Sequence, residues 1–373
     1  MNNNKLRVFT SFTGIGSQEI ALRNININYE VVGISEVDKN AILAYDSIHN
    51  KPIQVEKKTK EEMLEEFKNK NIAYNFSTGK SEIPRNEKDI RKLYEAHIRS
   101  KNYGDIRLIN EKELPDFDLF TYSFPCKNIS TAGKQAGFEK GSGTQSSLLW
   151  ECERIIKEKR PKFLLMENVK NIVGKKHKPY FDEWCKKLED LGYVNHWKVL
   201  NGKNFEVPQN RERCMMMSVL KEYDTGKELN EGKPTTKCIK DILENEVDEK
   251  YYLSETFYKG LLEHNKKHIE KGTGFLWKPR DINKYATCIR AGALCPTDNT
   301  IEAINNFEGK SNYRRFTPRE CWRLQGISDE DFEKAKNIGG LSDTKLFERA
   351  GRAIVIPMLE DIFNTYLSEY KIK

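Results

Sequence analysis

The sequence has little that would indicate a membrane, secreted or metal-binding protein. Its 373 residues contain no apolar run near the length of about 18 residues that a membrane-spanning helix needs. The first residues pass directly into a strand-like run without an apolar signal segment. The eight cysteines lie scattered, with no CxxC pair and no Cys/His cluster at metal-ligand spacing. We therefore expect a cytoplasmic protein with neither a disulfide framework nor a bound metal.

A large excess of charge of one sign is also absent. The chain has 63 Lys and Arg against 56 Asp and Glu, which leaves a mildly basic formal charge of +7. Hydrophobic residues make up 38% of the chain, so we do not expect disorder to dominate. At about 100–200 residues per domain, the length predicts two or three structural units.

A strand, a glycine-bearing turn, a helix and a second strand open the chain. The strands are predicted over 6–12 and 29–35, and Gly14 and Gly16 lie in the turn. Glu36 follows the second strand, about 20 residues beyond the glycines. In such a βαβ unit, backbone N–H groups of the turn approach a nucleotide and the acid accepts from ribose hydroxyls. The pattern fits a nicotinamide, flavin or S-adenosylmethionine site, although glycine turns without a ligand are also common.

Strands and helices continue to alternate up to Val219. Strands are predicted over 118–123 and 163–166, and a helix over 148–156. This alternation indicates an α/β fold with a largely parallel sheet covered by helices. A Lys-rich, irregular stretch follows to about residue 312, and a helical region ends the chain.

Two reactive side chains follow predicted buried strands. Cys126 lies at the carboxyl end of one strand, where ligands bind in open α/β folds, and Lys127 beside it would favour a thiolate. Glu167 follows another apolar strand, so its carboxyl group is expected at the same edge. The alternative is that Cys126 is an ordinary buried cysteine and Glu167 a cap or a solvated group.

Two arginines enter the strand predicted over 214–219. Alternation places Gln209, Arg211 and Arg213 on one face of the chain. Two guanidinium groups on one face would bind an anion or a base edge, or else form a structural ion pair with a glutamate.

Together these motifs resemble those of the bacterial DNA (cytosine-5) methyltransferases, over nearly the whole chain and in the family's order. The segments that carry the resemblance are Phe12-Thr13-Gly14-Ile15-Gly16 (cofactor loop), Glu36 (ribose-binding acid), Gly104-Asp105-Ile106, Pro125-Cys126 (nucleophile), Glu167-Asn168-Val169, Gln209-Asn210-Arg211-Glu212-Arg213, the segment 315–326, and Gly351-Arg352-Ala353-Ile354.

The resemblance implies a Rossmann-like, S-adenosylmethionine-dependent methyltransferase fold, a mostly parallel sheet with helices on both faces. It places a catalytic domain at 1–219, a smaller mixed target-recognition domain at 220–312, and a segment returning to the catalytic domain at 313–373. The implied cofactor is S-adenosylmethionine, without a metal, and Asp105 would meet its adenine amino group. The implied cofactor contacts are Phe12, Gly14, Ile15, Gly16, Glu36, Val37, Asp105, Ile106, Pro125, Leu148, Arg352 and Ile354.

The implied reaction explains why these residue types are needed. Cytosine C5 is a poor nucleophile until a thiolate adds to C6, which is the role of Cys126. Glu167 would protonate or hydrogen-bond N3. Arg211 would lie near the base and stabilise developing charge, and Arg213 would orient the carboxylate. A stacked base is out of reach, so the enzyme must flip its target cytosine out of the duplex.

The resemblance implies a monomer that acts on double-stranded DNA. Segment 130–137 resembles the family's mobile loop, and the recognition domain would contact phosphates and major-groove edges. The implied DNA-binding residues are Lys127, Ser130, Gln209 and Thr287. A cognate restriction endonuclease is an open question.

Two positions depart from the family pattern. Lys127 replaces the usual glutamine after Pro-Cys, which would change a phosphate contact or how the space of the flipped base is filled. Arg352 stands where the family has asparagine near the cofactor's methionine end, and a guanidinium near a sulfonium is repelled. Arg352 either turns outward, or pairs with the cofactor carboxylate or a nearby acid. Alternatively, it binds the extra carboxylate of carboxy-S-adenosylmethionine, and the product is 5-carboxymethylcytosine.

Other classes of protein explain less of the sequence. A nicotinamide oxidoreductase accounts for the first βαβ unit but not for Cys126, Glu167 and Arg211 together. A catalytically inactive DNA-binding relative is disfavoured because the nucleophile, the acid and the arginines are all present. A tRNA-directed relative would carry a Cys-Phe-Thr tripeptide in the recognition region, which this sequence lacks.

Overall fold

A computed structural model describes residues 5–75, 78–129, 137–274, 276–291, 299–303 and 307–372. Ser130 and most of segment 130–137 lie outside these residues. The strands are β1 Leu6–Ser11, β2 Tyr29–Ser35, β3 Tyr74–Asn75, β4 Lys80–Ser81, β5 Leu119–Tyr122, β6 Phe163–Val169, β7 Tyr193–Asn201, β8 Gln209–Asn210, β9 Glu212–Leu220, β10 Tyr252–Ser254, β11 Ala286–Thr287, β12 Thr300–Glu302 and β13 Lys310–Arg315. The α-helices are α1 Ser17–Asn24, α2 Lys39–His49, α3 Lys60–Asn69, α4 Glu87–Arg99, α5 Leu149–Lys159, α6 Lys178–Asp190, α7 Glu255–Glu270, α8 Pro318–Arg323, α9 Asp329–Glu333, α10 Asp343–Arg352 and α11 Ile356–Tyr366.

The largest sheet has six strands in the order β2-β1-β5-β6-β9-β7. The first four are parallel to one another, whereas β9 runs antiparallel to both β6 and β7. The predicted α/β fold with a mostly parallel sheet is therefore confirmed.

Successive residues of the central strands enter two hydrophobic cores. Val8 and Leu165 belong to one core, and their neighbours Phe9 and Leu164 belong to the other. Because side chains alternate along a strand, this separation means that both faces of the sheet are covered. Helices α1 and α11 pack in the first core, and α5 and α6 in the second.

The smaller unit is built on a three-stranded antiparallel sheet in the order β10-β13-β12. Strand β13 spans residues 310–315, and the predicted domain boundary at 312 falls within it. The stretch predicted to be irregular also contains the 16-residue helix α7. Leu261 is the buried residue of that helix, and Tyr258 packs beside it in a small apolar cluster.

Among the described residues, no helix is both long and apolar enough to cross a membrane.

Candidate active site

The turn after β1 is shaped by residues in the left-handed backbone region. Gly14 has φ of +61° and Gly16 has φ of +75°. A Cβ on Gly16 would lie 2.4 Å from His49 Nε2, whereas a Cβ on Gly14 would meet no atom within 4 Å. Phe12, also at positive φ (+57°), donates its N–H to the Ser35 carbonyl at 2.9 Å. The turn is thus packed on its inner side and open at Gly14.

The Glu36 carboxylate holds this turn against the end of β2. Its Oε2 accepts from the Gly14 N–H at 2.9 Å, and its Oε1 accepts from the N–H groups of Val37 and Asp38, both at 2.8 Å. Burial raises the pKa of Glu36, and the negative charge of Asp38 adds to that effect. Val37 and Ile15 are buried beside it.

Asp105 is a buried carboxylate on the segment that follows α4. It accepts from the backbone and side chain of Arg107, and from Asn71 Nδ2 at 2.9 Å. Burial opposes ionisation, but these hydrogen bonds, Arg107's foremost, lower the pKa of Asp105. Ile106 beside it is buried. Both oxygens of Asp105 therefore already have protein donors.

The geometry of the turn at Gly14 and of the Glu36 carboxylate fits S-adenosylmethionine. The open side of Gly14 leaves room for a ligand at the carboxyl end of β1, and the Glu36 carboxylate at the end of β2 can accept from ribose hydroxyls. The protein itself already supplies three N–H donors to that carboxylate, so it is held in place for such a role.

Cys126 lies four residues beyond the end of β5 and is half-buried. Asn168 Nδ2 donates to the Phe124 carbonyl at 3.0 Å, and Ser146 Oγ to the Pro125 carbonyl at 2.6 Å, so the backbone before the cysteine is fixed from two sides. Burial raises the pKa of the Cys126 thiol, and so does the negative charge of Glu167, while Arg213 and Arg211 oppose the change. Leu148, which the resemblance implies as a cofactor contact, lies in the second hydrophobic core.

Glu167 lies in β6, the strand next to β5, close to the carboxyl end that both strands share. Arg213 Nε lies 3.0 Å from Glu167 Oε1, and the two side chains are only 14% and 12% exposed. The structure therefore brings the predicted acid and Arg213 together, with Cys126 at the same sheet edge.

Arg211 is buried among backbone carbonyl groups. It is 2% exposed and donates to the carbonyls of Ile289, Gly351 and Ala353, each at 2.9 Å. Its Nη1 also lies 3.3 Å from Cys288 Sγ. Burial, together with the charge of Arg213, lowers the pKa of Arg211 to about 10. The Nη groups thus tie three chain segments together, whereas Nε has no hydrogen-bond partner among the described residues. The role of Arg211 as a base contact stays a prediction.

Gln209, which the resemblance implies as a DNA contact, lies in a different place. It is completely buried, donates from Nε2 to the Leu324 carbonyl at 2.8 Å and accepts the Ile289 N–H at 3.0 Å. A residue in that position cannot reach DNA. Thr287 forms β11, which pairs with β8 rather than with the three-stranded sheet, and its hydroxyl lies 2.8 Å from Asn299 Oδ1. Lys127 is exposed beside Cys126.

The C-terminal segment returns to the end of β2. Arg352 is half-exposed and pairs with Asp38 at 3.1 Å and with Glu348. Its guanidinium therefore meets nearby acids, one of the arrangements expected from the sequence. Ile354 is buried and donates its N–H to Ser17 Oγ at 3.3 Å.

Residues 78–368 match the family described as C-5 cytosine-specific DNA methylase. The chain belongs to this family. The Type II methyltransferase M2.ScrFI of Lactococcus lactis subsp. cremoris is 40% identical over 370 residues, 96% of this chain and 98% of the relative. The orphan methyltransferase M.SssI of Spiroplasma monobiae is 33% identical over 376 residues, 96% of this chain and 97% of the relative. The predicted DNA (cytosine-5) methyltransferase is thus confirmed.

Solved structures share the fold of this C-5 cytosine-specific DNA methylase. The S. pombe Dnmt2 methyltransferase matches with a TM-score of 0.67 and 16% identity, over 98% of this chain and 100% of that chain. The Entamoeba histolytica methyltransferase EhMeth matches with a TM-score of 0.64 and 17% identity, over 99% and 100%. The family and its fold support S-adenosylmethionine as the methyl donor and DNA as the substrate.

Sequence reasoning missed three residues of this methylase's site. Asp38 caps α2 by accepting from the Asn40 N–H at 2.9 Å, and it also pairs with the buried Arg349 at 2.7 Å. The third is Cys288, beside the two arginines. Asp38 lies two residues after the predicted ribose-binding Glu36, and this position in the sequence could have marked it as a site residue. No local sequence pattern marks Arg349 or Cys288. Among the described residues, no group of three or more His, Cys, Asp or Glu could hold a metal ion.

Proposed function

We propose that the enzyme transfers a methyl group from S-adenosylmethionine to C5 of a cytosine flipped out of double-stranded DNA, through a covalent bond between Cys126 Sγ and cytosine C6. One arrangement carries this proposal. Cys126 and Glu167 lie at the shared edge of two neighbouring parallel strands, with Arg213 Nε 3.0 Å from the Glu167 carboxylate.

The first step is addition of the Cys126 thiolate to C6, which forms the S–C6 bond and moves electron density to C5. The thiol must lose its proton first, and its raised pKa means that it is held largely neutral in the free enzyme. Binding of DNA would expel the remaining water and bring the base against the sulfur. We therefore assign the start of the reaction to the DNA-bound state.

Glu167 assists this addition by giving a proton or a hydrogen bond to N3, so that the ring carries less negative charge. Arg213 orients the carboxylate through the contact of its Nε with Glu167 Oε1. Arg211 acts through structure, because its hydrogen bonds hold residues 289, 351 and 353 around the site.

S-adenosylmethionine, when bound, supplies a methyl group activated by its sulfonium. Glu36, Asp105 and the turn at Gly14 are the groups that we assign to holding it. After C5 takes the methyl group, a base removes the C5 proton, the S–C6 bond breaks, and the thiolate of Cys126 is restored with the N3 proton returned. Each bond formed to the enzyme is thus broken again.

The test is mass spectrometry of nucleosides from DNA incubated with purified enzyme and S-adenosylmethionine. We expect 5-methylcytosine from the natural enzyme and none from Cys126→Ala. DNA containing 5-fluorocytosine should trap the enzyme covalently at Cys126, because fluorine at C5 cannot be removed as a proton. A natural enzyme that forms neither product nor adduct, over varied cytosine contexts, would overturn the proposal.

Two alternatives have less support. Arg352 offers no free guanidinium for a carboxylated donor, since it pairs with Asp38 and Glu348. An inactive DNA-binding protein would have no use for the ion pair between Glu167 and Arg213 beside a cysteine. Including carboxy-S-adenosylmethionine in competition tests the first alternative directly.

A further inference from the structure

Cys288 is a half-buried cysteine that follows β11 and lies against two arginines of the site. Its Sγ is 3.3 Å from Arg211 Nη1 and 4.0 Å from Arg213 Nη2. These arginines come from a chain segment 75–77 residues away in sequence. The sulfur therefore lies at the point where the two guanidinium groups approach each other.

The Arg213 guanidinium also contacts Glu167. Its Nε pairs with the carboxylate at 3.0 Å while its Nη2 faces the sulfur of Cys288. Arg211 donates otherwise to neutral carbonyl groups. The two arginines thus bring two positive charges to a partly buried site, and Glu167 is paired with Arg213. A second anion at the sulfur would balance the charge of this cluster.

The sulfur of Cys288 can form hydrogen bonds in two ways, depending on whether it carries a proton. As a neutral thiol it can donate to the Ile289 carbonyl, 3.6 Å away. As a thiolate it can only accept, and both arginines offer N–H donors. Burial opposes ionisation of Cys288, but the charges of Arg211 and Arg213 outweigh it and lower the pKa of the thiol. Cys126, by contrast, has a raised pKa.

We propose that Cys288 is a positioning residue for the methyl-transfer site, and that its thiolate contacts Arg211, shares Arg213 with Glu167 and so sets the charge around Cys126. This inference rests on the proposed function for its connection to catalysis. Removal of the anion would leave the two guanidinium groups less neutralised, which favours the thiolate of Cys126.

The experiment uses Cys288→Ala, Cys288→Ser and the charge-retaining Cys288→Asp. Cys185→Ser is the matched control, since Cys185 is also half-buried but contacts Met216 on another part of the sheet. Iodoacetamide labelling of the DNA-free enzyme is followed from pH 6 to 10 by peptide mass spectrometry. Single-turnover methyl transfer is measured over the same pH range.

In the natural enzyme, Cys288 should be labelled at lower pH than Cys126. In the alanine and serine variants, Cys126 should be labelled about tenfold faster at a fixed neutral pH, as a shift of one pKa unit implies. The pH dependence of methyl transfer should move to lower pH by about one unit, because the Cys126 thiol ionises more easily. Cys288→Asp should restore both pH profiles, and Cys185→Ser should change neither.

The proposal would be overturned if the labelling of Cys126 had the same pH dependence in the natural enzyme as in both the alanine and serine variants. Should Cys288→Asp fail to fold, those two variants and the labelling of Cys288 itself still decide the question. A natural enzyme without methyl transfer contradicts the proposed function, whereas the labelling profiles continue to test the charge effect of Cys288 separately.

Discussion

The cofactor half and the base half of the site are held in place by contacts of very different range. In the cofactor half, Glu36 accepts from Gly14, Val37 and Asp38, all within one βαβ unit. In the base half, Arg211 reaches carbonyl groups that lie 78–142 residues away in sequence. The Glu36 contacts are thus a product of local folding, whereas the Arg211 contacts exist only when distant parts of the chain have packed together.

The largest effect should come from Cys126→Ala. Loss of the nucleophile removes the covalent route, so methyl transfer should fall by about 10⁴-fold or more. Cofactor affinity, measured by calorimetry, should stay the same because the cofactor half does not depend on this side chain. Cys185→Ala serves as the control and should keep its activity. Residual activity above one per cent, by a tritium transfer assay, would show that another group starts the reaction.

Glu167→Gln should lower single-turnover transfer by about 10²–10³-fold, in the range typical of a lost general acid. The amide can still contact Arg213 but cannot give a proton to N3. Glu212→Gln is a matched control, because this exposed glutamate pairs with Lys170 one strand position before Arg213. If the two variants have equal rates, Glu167 is a structural partner of Arg213 and the acid lies elsewhere.

Arg211→Met should act mainly on stability. The change removes the guanidinium that donates to the carbonyl groups of residues 289, 351 and 353, so the free energy of unfolding should fall by about 3 kcal/mol. Urea unfolding measures this loss. Arg213→Met should reverse the balance, with a smaller loss of stability and a larger loss of activity in the folded fraction. Equal stability of the two variants would contradict the structural role of Arg211.

A buried carboxyl group makes the cofactor half sensitive to pH. Glu19 in α1 has Thr10 and Tyr45 as donors to Oε1, while its buried Oε2 has no hydrogen-bond partner among the described residues. Burial raises the pKa of Glu19 from 4.5 to about 7. Since the folded-state pKa is the higher one, the protonated acid stabilises the fold below pH 4.5, and this contribution is lost as the pH rises through 7.

Glu19→Gln should therefore raise the free energy of unfolding by about 3 kcal/mol at pH 8 and change it little at pH 4.5. Unfolding by urea at several pH values checks the expectation, with the exposed Glu61→Gln as control. An equal effect of Glu19→Gln at both pH values would mean that the carboxyl group is not protonated on folding.

The same contrast explains what the sequence could predict. Cys126, Glu167 and Glu36 were predicted because each follows a buried strand, and the parallel order of β1, β2, β5 and β6 brings such positions to one edge. The signal for each residue lies within a few positions of it in the chain.

Long-range packing accounts for what was missed. Alternation correctly placed Gln209 and Arg211 on one face, but that face is covered by residues 288–291 and 351–353, which local patterns do not reveal. Strand β13 crosses the predicted boundary at 312 because its partners, β10 and β12, fix its length. Lys310–Arg315 is too rich in charged residues to be predicted as a strand from its sequence, and only its pairing with neighbouring strands identifies it.

Arg352→Asn should have the smallest effect. The Arg352 side chain is 51% exposed, and Asp38 keeps its buried partner Arg349, so the loss of stability should be less than about 1 kcal/mol. Arg349→Met is the matched comparison and should cost more, because it removes the buried pair. In competition between S-adenosylmethionine and its carboxylated analogue, nucleoside mass spectrometry should show 5-methylcytosine from both the natural enzyme and Arg352→Asn. A product ratio that changes with this substitution would instead place the guanidinium of Arg352 against the donor.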